Sequence, residues 1–211
     1  MIQQLKRKLL NQLAYYISYV KLYSLIKQDL SNTIILDCGA NQGSISALFA
    51  RTGAQIFAFE PDPLAFSVLE KKFLQYPMVE CVQKAVWINE GTVTLYLHMS
   101  QEGKNVDFTV SSSIIKEKVN VCESNAVEVA TINLLEFIRQ SDTRISVLKM
   151  DIEGAEVELL NKIFDENLHQ KIDLMLVETH ENKIPAHVKP IQELKQRLQE
   201  ERIENVKLNW I

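Results

Sequence analysis

The chain has 211 residues, 46% of them hydrophobic and 24% charged, with a formal net charge of −4. That length suits one ordinary domain with a substantial core, and the negative balance excludes general attraction to a nucleic-acid backbone. Cys38, Cys81 and Cys122 are odd in number, two of them fall in apolar strand-like segments, and no pair has a metal-ligand spacing. Reduced, buried thiols in a cytoplasmic protein are the expectation.

The first 32 residues read as a helical extension. Leu5, Leu9, Leu13, Tyr16, Ile17, Val20 and Tyr23 recur at helical spacing, with Lys6, Arg7 and Lys8 near the start. The segment lacks the continuous apolar stretch of a signal peptide, and Lys21 and Lys27 interrupt anything long enough to span a bilayer. Its apolar stripe is expected to pack on the domain or on a second subunit. Peripheral contact with an anionic membrane, at its inner face, is the alternative.

Residues 33–211 read as one α/β domain. A buried strand, Thr33 to Asp37, runs into Cys38-Gly39-Ala40-Asn41-Gln42-Gly43 and then a helix over Ser44 to Arg51. A second strand, Gln55 to Glu60, ends in an acid about 20 residues beyond the loop, the spacing at which a carboxylate grips a ribose. A dinucleotide site would need glycine where Asn41 stands, so that the backbone can approach a pyrophosphate. S-adenosylmethionine has the ribose but no phosphate, and is the better fit. Asp37, Gly39 and Gly43 are expected around its amino acid part and Glu60 at its ribose, with Asn41 a further cofactor contact. Pro61, Ala85 and Asp151 are the remaining cofactor contacts assigned.

Pro61 and Pro63 enforce a turn, after which Leu64 to Phe73 repeats at helical intervals, and Val79 to Val82 is the third strand. From Trp87 to Val129 the alternation breaks. Thr92 to Leu97 has period two and precedes a polar stretch, which predicts an inserted β-hairpin on the ligand edge. Ser111, Ser112 and Ser113 lie in it, either as an ordinary hydroxyl-rich turn or in contact with substrate or cofactor.

The fourth strand, Ser146 to Met150, leads into Asp151-Ile152-Glu153-Gly154-Ala155-Glu156 and a helix from about Ala155 to Phe164. In extended chain Asp151 and Glu153 share a side, whereas Glu156 is read as a partner of the helix N-terminus. A fifth strand, Asp173 to Val177, ends in Glu178-Thr179-His180, and a sixth is placed at Val206 to Trp210. Alcohol methylation needs a base. His180 and Asp151 are the candidates, with Glu153 and Glu178 orienting the acceptor or the base; His98, His169 and His187 have no comparable setting. No metal is assigned, although the same four side chains offer Mg²⁺ or Ca²⁺ an oxygen-rich alternative. The fold expected is a Rossmann-like, doubly wound, mostly parallel sheet with the inserted hairpin and the N-terminal helix.

In order, the segments Leu36 to Gly43, Ala58-Phe59-Glu60-Pro61-Asp62-Pro63, Lys149 to Glu156 and Val177-Glu178-Thr179-His180 resemble the FkbM-type methyltransferases, a branch of the class I S-adenosylmethionine-dependent enzymes. The resemblance covers roughly Ile34 to Glu181. It implies cofactor binding at the first loop and Glu60, and O-methylation of sugars, polyketides or related hydroxylated natural products. Cys38 departs from the small apolar residue common there, and the antiparallel seventh strand usual in class I enzymes has no evident counterpart. The rival readings are a noncatalytic module binding cofactor or a partner, and an NAD-dependent oxidoreductase, against which Asn41 argues.

Overall fold

The computed structural model describes residues 22–98, 112–114, 121–181, 183–208 and 210, with 98 and 121–124 described by backbone alone. The predicted N-terminal helix lies outside these residues except at its end, where 22–25 are helical and Leu22 and Leu25 are buried.

Six parallel strands form the main sheet: β1 (Ile34–Cys38), β2 (Gln55–Phe59), β3 (Val79–Val82), β7 (Ile145–Met150), β8 (Met175–Val177) and β9 (Val206–Lys207), in the order β3-β2-β1-β7-β8-β9. Every residue of β1 and β7 is buried, as expected where helices cover both faces of a parallel sheet. Leu36, Leu148 and Leu160 belong to one core layer, and Ile35, Ile56 and Val147 to the other. Helices α1 (Ser44–Phe49), α2 (Pro63–Phe73), α3 (Leu134–Gln140), α4 (Glu156–Asp165) and α5 (Val188–Glu200) occupy the connections. Strand order reverses between β1 and β7, so a crevice opens beyond their carboxyl ends, where open α/β sheets take ligands.

The insert is larger than a hairpin. β5 (Gly91–His98) pairs antiparallel with β6 (Val121–Asn133), and β4 (Ala85–Trp87) joins parallel to β6, giving a second sheet in the order β4-β6-β5. It has its own small core of Ala85, Leu95, Leu97 and Val129. The predicted strand over Val206 to Trp210 is paired only at Val206–Lys207; Trp210 then donates its backbone N–H to Val177, 3.2 Å away. Among the described residues the main sheet has no antiparallel strand.

Candidate active site

The chain leaves β1 in left-handed backbone at Gly39 (φ 78°), Asn41 (φ 48°) and Gly43 (φ 74°). Packing dictates the two glycines. A Cβ at Gly39 would lie 1.8 Å from the Asp151 carbonyl oxygen, and one at Gly43 would lie 2.5 Å from the Phe73 ring. Gly43 is thus occupied with seating α2. Asparagine tolerates the left-handed region better than most residues, and the Asn41 N–H donates to Glu60 Oε2 at 2.8 Å. The Asp62 N–H donates to Glu60 Oε1, also at 2.8 Å. These two bonds fix the Glu60 carboxylate at the cleft wall. Burial raises its pKa to about 8, outweighing the two backbone donors that pull the other way.

Asp37 lies beneath the loop and is fully buried. It accepts from Ser46 Oγ at 2.6 Å and pairs with Lys149 Nζ at 3.3 Å. The same ammonium donates to the Gly39 carbonyl at 2.7 Å and stands 3.6 Å from Asp151 Oδ2. Burial alone would lower the Lys149 pKa, but Asp37 and Asp151 raise it on balance, so the side chain keeps its charge. Lys149 is a site residue that sequence reasoning passed over, and its signal was a charge inside the apolar run Val147 to Met150.

The cleft beyond the loop is open to solvent and holds about 660 Å³ of space free of protein atoms, its mouth included. Gly39, Asn41, Glu60, Pro61, Ala85 and Asp151 line it, whereas Asp37 and Gly43 do not. Phe59, Val86, Leu95 and Ile152 give it apolar walls suited to a base, and Glu60, once ionised, offers acceptors alone, as ribose hydroxyls require. The site therefore fits an adenosine cofactor. Ser112 and Ser113 complete the rim, Ser112 Oγ donating to Asp62 Oδ2 at 3.0 Å and Ser113 Oγ to the Glu153 carbonyl at 2.6 Å. Backbone bonds between Ser113 and Tyr96 tie this strap to the second sheet. Ser111 lies outside the described residues.

Where Asp151 and Glu153 line the cleft, the structure brings them together with Glu178 and His180. β7 stops at Met150, so Asp151 and Glu153 meet through a turn, with Glu153 at φ 58°, rather than through strand alternation. His180 Nε2 faces Glu153 Oε2 at 3.2 Å, Asp151 Oδ1 at 3.5 Å and Glu178 Oε1 at 3.8 Å. The imidazole is only 1% exposed, while Asp151 and Glu178 are each 30% exposed and so present the cluster's open face. Burial opposes a charge on His180, but the Glu156 hydrogen bond and the surrounding carboxylates raise its pKa. Burial, then repulsion from Asp151, raises that of Glu178 to about 7. Glu153 pairs with Lys183 at 3.2 Å.

Glu156 does more than face a helix N-terminus. Buried to 1%, it accepts from the Ile152 and Gly154 N–H groups at 2.9 and 2.8 Å and holds His180 Nδ1 at 3.0 Å. It is the second site residue missed, because only the turn's geometry brings Glu156 to His180.

Residues 37–202 match the family model described as the methyltransferase FkbM domain. The chain is 26% identical over 166 residues to the hexuronic acid methyltransferase AglP of Haloferax volcanii, an alignment covering 78% of this chain and 63% of that protein. It is 26% identical over 136 residues to the 2-O-methyltransferase NoeI of Sinorhizobium fredii, covering 60% and 56% respectively. The chain thus spans somewhat less than two thirds of the length of either relative. The crystal structure of the methyltransferase FkbM from Methylobacillus flagellatus aligns with a TM-score of 0.40 and 16% identity, over 67% of this chain and 30% of that one.

Proposed function

Since the chain belongs to the FkbM methyltransferase family, we propose that it transfers a methyl group from S-adenosylmethionine to a hydroxyl of a sugar or related hydroxylated acceptor. The observation that carries this reading is the junction of two sites: Asp151 and Glu153 belong both to the cleft that suits adenosine and to the polar cluster at its end. AglP, a hexuronic acid methyltransferase, and NoeI, a 2-O-methyltransferase, support a sugar hydroxyl as acceptor.

The cofactor supplies an electrophilic sulfonium methyl, and its transfer to oxygen leaves S-adenosylhomocysteine. The chain's part is placement, which in well-oriented systems is worth about 7–11 kcal/mol of barrier. Glu60 accepts from the ribose, Pro61 and Ala85 flank the base, and the Gly39 to Asn41 backbone borders the amino acid part. Asp37 and Gly43 act from behind the loop, keeping its shape. Asp151 and Glu178, with partly exposed side chains, hold the acceptor hydroxyl, and one of the two receives its proton as the new C–O bond forms. His180 and Glu153 set the position of those carboxylates, and Glu156 sets His180.

Calorimetric titration with S-adenosylmethionine, S-adenosylhomocysteine and NAD tests the cofactor assignment. Binding of the first two, weakened at least tenfold by Glu60→Ala, with no binding of NAD, is expected. NAD binding would overturn the reading in favour of an oxidoreductase. Transfer of labelled methyl to a uronic acid or neutral sugar glycoside then separates an enzyme from a noncatalytic module.

A further inference from the structure

His180 Nε2 is buried and makes no hydrogen bond, although three carboxylate oxygens converge on it at 3.2, 3.5 and 3.8 Å. Charge-assisted N–H···O bonds are shorter, about 2.7–2.9 Å. Two donors held by one cation at about 2.1–2.3 Å stand roughly 3.0–3.8 Å apart at angles between octahedral and tetrahedral values. Asp151, Glu178 and His180 each offer one ligand atom such that all three lie within 4.8 Å of one another, and the Nε2 distances to Asp151 Oδ1 and Glu178 Oε1 fall inside that span.

The far side of the imidazole is built to match. Glu156, clamped by two backbone N–H groups, holds Nδ1 at 3.0 Å, so the ring cannot turn and Nε2 stays aimed into the cluster. A carboxylate behind a histidine is the usual way to fix the tautomer and direction of a metal-ligating imidazole. The charges are also left over for a cation. Glu153 is answered by Lys183, and the second oxygen of Asp151 faces Lys149, but among the described residues Glu178 has no lysine or arginine ion pair.

We propose that Asp151 Oδ1, Glu178 Oε1 and His180 Nε2 bind a divalent cation of the Mn²⁺ type at the acceptor end of the cleft, with its outer coordination positions open to acceptor hydroxyls. One imidazole with two carboxylates suits a first-row ion of this kind better than the all-oxygen shells of Mg²⁺ or Ca²⁺. The open positions follow from the partial exposure of Asp151 and Glu178. The acceptor's place at the cation rests on the methyl-transfer reading, whereas binding of the ion does not.

The test titrates the full chain with MnCl₂ alone and reads bound ion by electron paramagnetic resonance, with pulsed detection of coupled ¹⁴N. One Mn²⁺ per chain, carrying an imidazole nitrogen coupling, is expected, and Glu178→Gln should weaken it more than tenfold. The nitrogen signature belongs to the wild-type protein, so it does not depend on any variant folding. Absence of stoichiometric binding at millimolar Mn²⁺, binding without nitrogen coupling, or an affinity indifferent to Glu178→Gln would each overturn the site. A separate titration with S-adenosylmethionine distinguishes the two ideas: Mn²⁺ bound without cofactor binding removes the cofactor reading and leaves the cation site standing, and cofactor bound without Mn²⁺ does the reverse.

Discussion

Glu60 has a structural task and, in the proposed reading, a recognition task. Its two oxygens accept from the Asn41 and Asp62 N–H groups, which fasten the first loop to the start of α2, and the residue lines the cleft. Burial raises its pKa to about 8, so near neutral pH the empty site holds Glu60 largely protonated. A ribose donates hydrogen bonds and selects the carboxylate. Cofactor binding must therefore expel a proton below about pH 8, and affinity should rise with pH by up to about tenfold per unit before levelling off above it. Titrations at pH 6 to 9 in buffers of different ionisation enthalpy measure both quantities. Glu60→Gln should abolish the proton release and weaken binding at least tenfold, since its amide NH₂ would face a backbone donor. An affinity independent of pH across this range would show that Glu60 is already ionised or does not meet the ribose.

Between elements, the pairing that matters most is β1 against β7, because the crevice opens at their junction. Lys149 on β7 reaches Asp37 and the Gly39 carbonyl on the β1 side at 3.3 and 2.7 Å, with its side chain 4% exposed. Removing one partner of a buried ion pair strands the other charge. Lys149→Met is thus expected to cost about 3–5 kcal/mol, and Lys149→Met combined with Asp37→Asn to recover part of it. Urea denaturation of the two variants checks both. The strands here were legible in the sequence, since β1, β2 and β7 are largely apolar runs bounded by turn signals, and the prediction of Val79 to Val82 coincides with β3. β6 was not legible as a strand. Its 13 residues mix Glu128 and Asn125 among apolar ones, and its partners β4 and β5 are set by tertiary pairing. At the site, the strand-end acids and His180 stood out by position. The contacts of Lys149 come from tertiary pairing, which sets it opposite Asp37 across β1 and β7, and those of Glu156 from the turn at Glu153 and Gly154, both at positive φ.

Two sheets of unequal depth make up the molecule, and their stabilities should differ accordingly. The six-stranded sheet lies between two extensive apolar clusters, while among the described residues the second sheet buries a smaller one, Ala85, Leu95, Leu97 and Val129. Local opening follows such differences in buried contact. Amides of β1, β2 and β7 are expected to exchange with solvent only on global unfolding, and those of β5 and β6 through a cheaper, separate opening. The strap at Ser112 and Ser113 couples the two, because it bonds to Asp62 and to the Glu153 carbonyl on the main sheet's side and to Tyr96 on the other. A ligand in the cleft would touch both sides of this coupling, since Glu60 and Asp151 line it together with Leu95, Ser112 and Ser113. Hydrogen exchange with and without S-adenosylhomocysteine should therefore show protection spreading from residues 39–43 and 60–62 into β5 and β6, while the slow core of β1 and β7 changes little. Protection confined to the first loop would mean that the second sheet takes no part in holding the cofactor. Its role would then lie wholly with the acceptor.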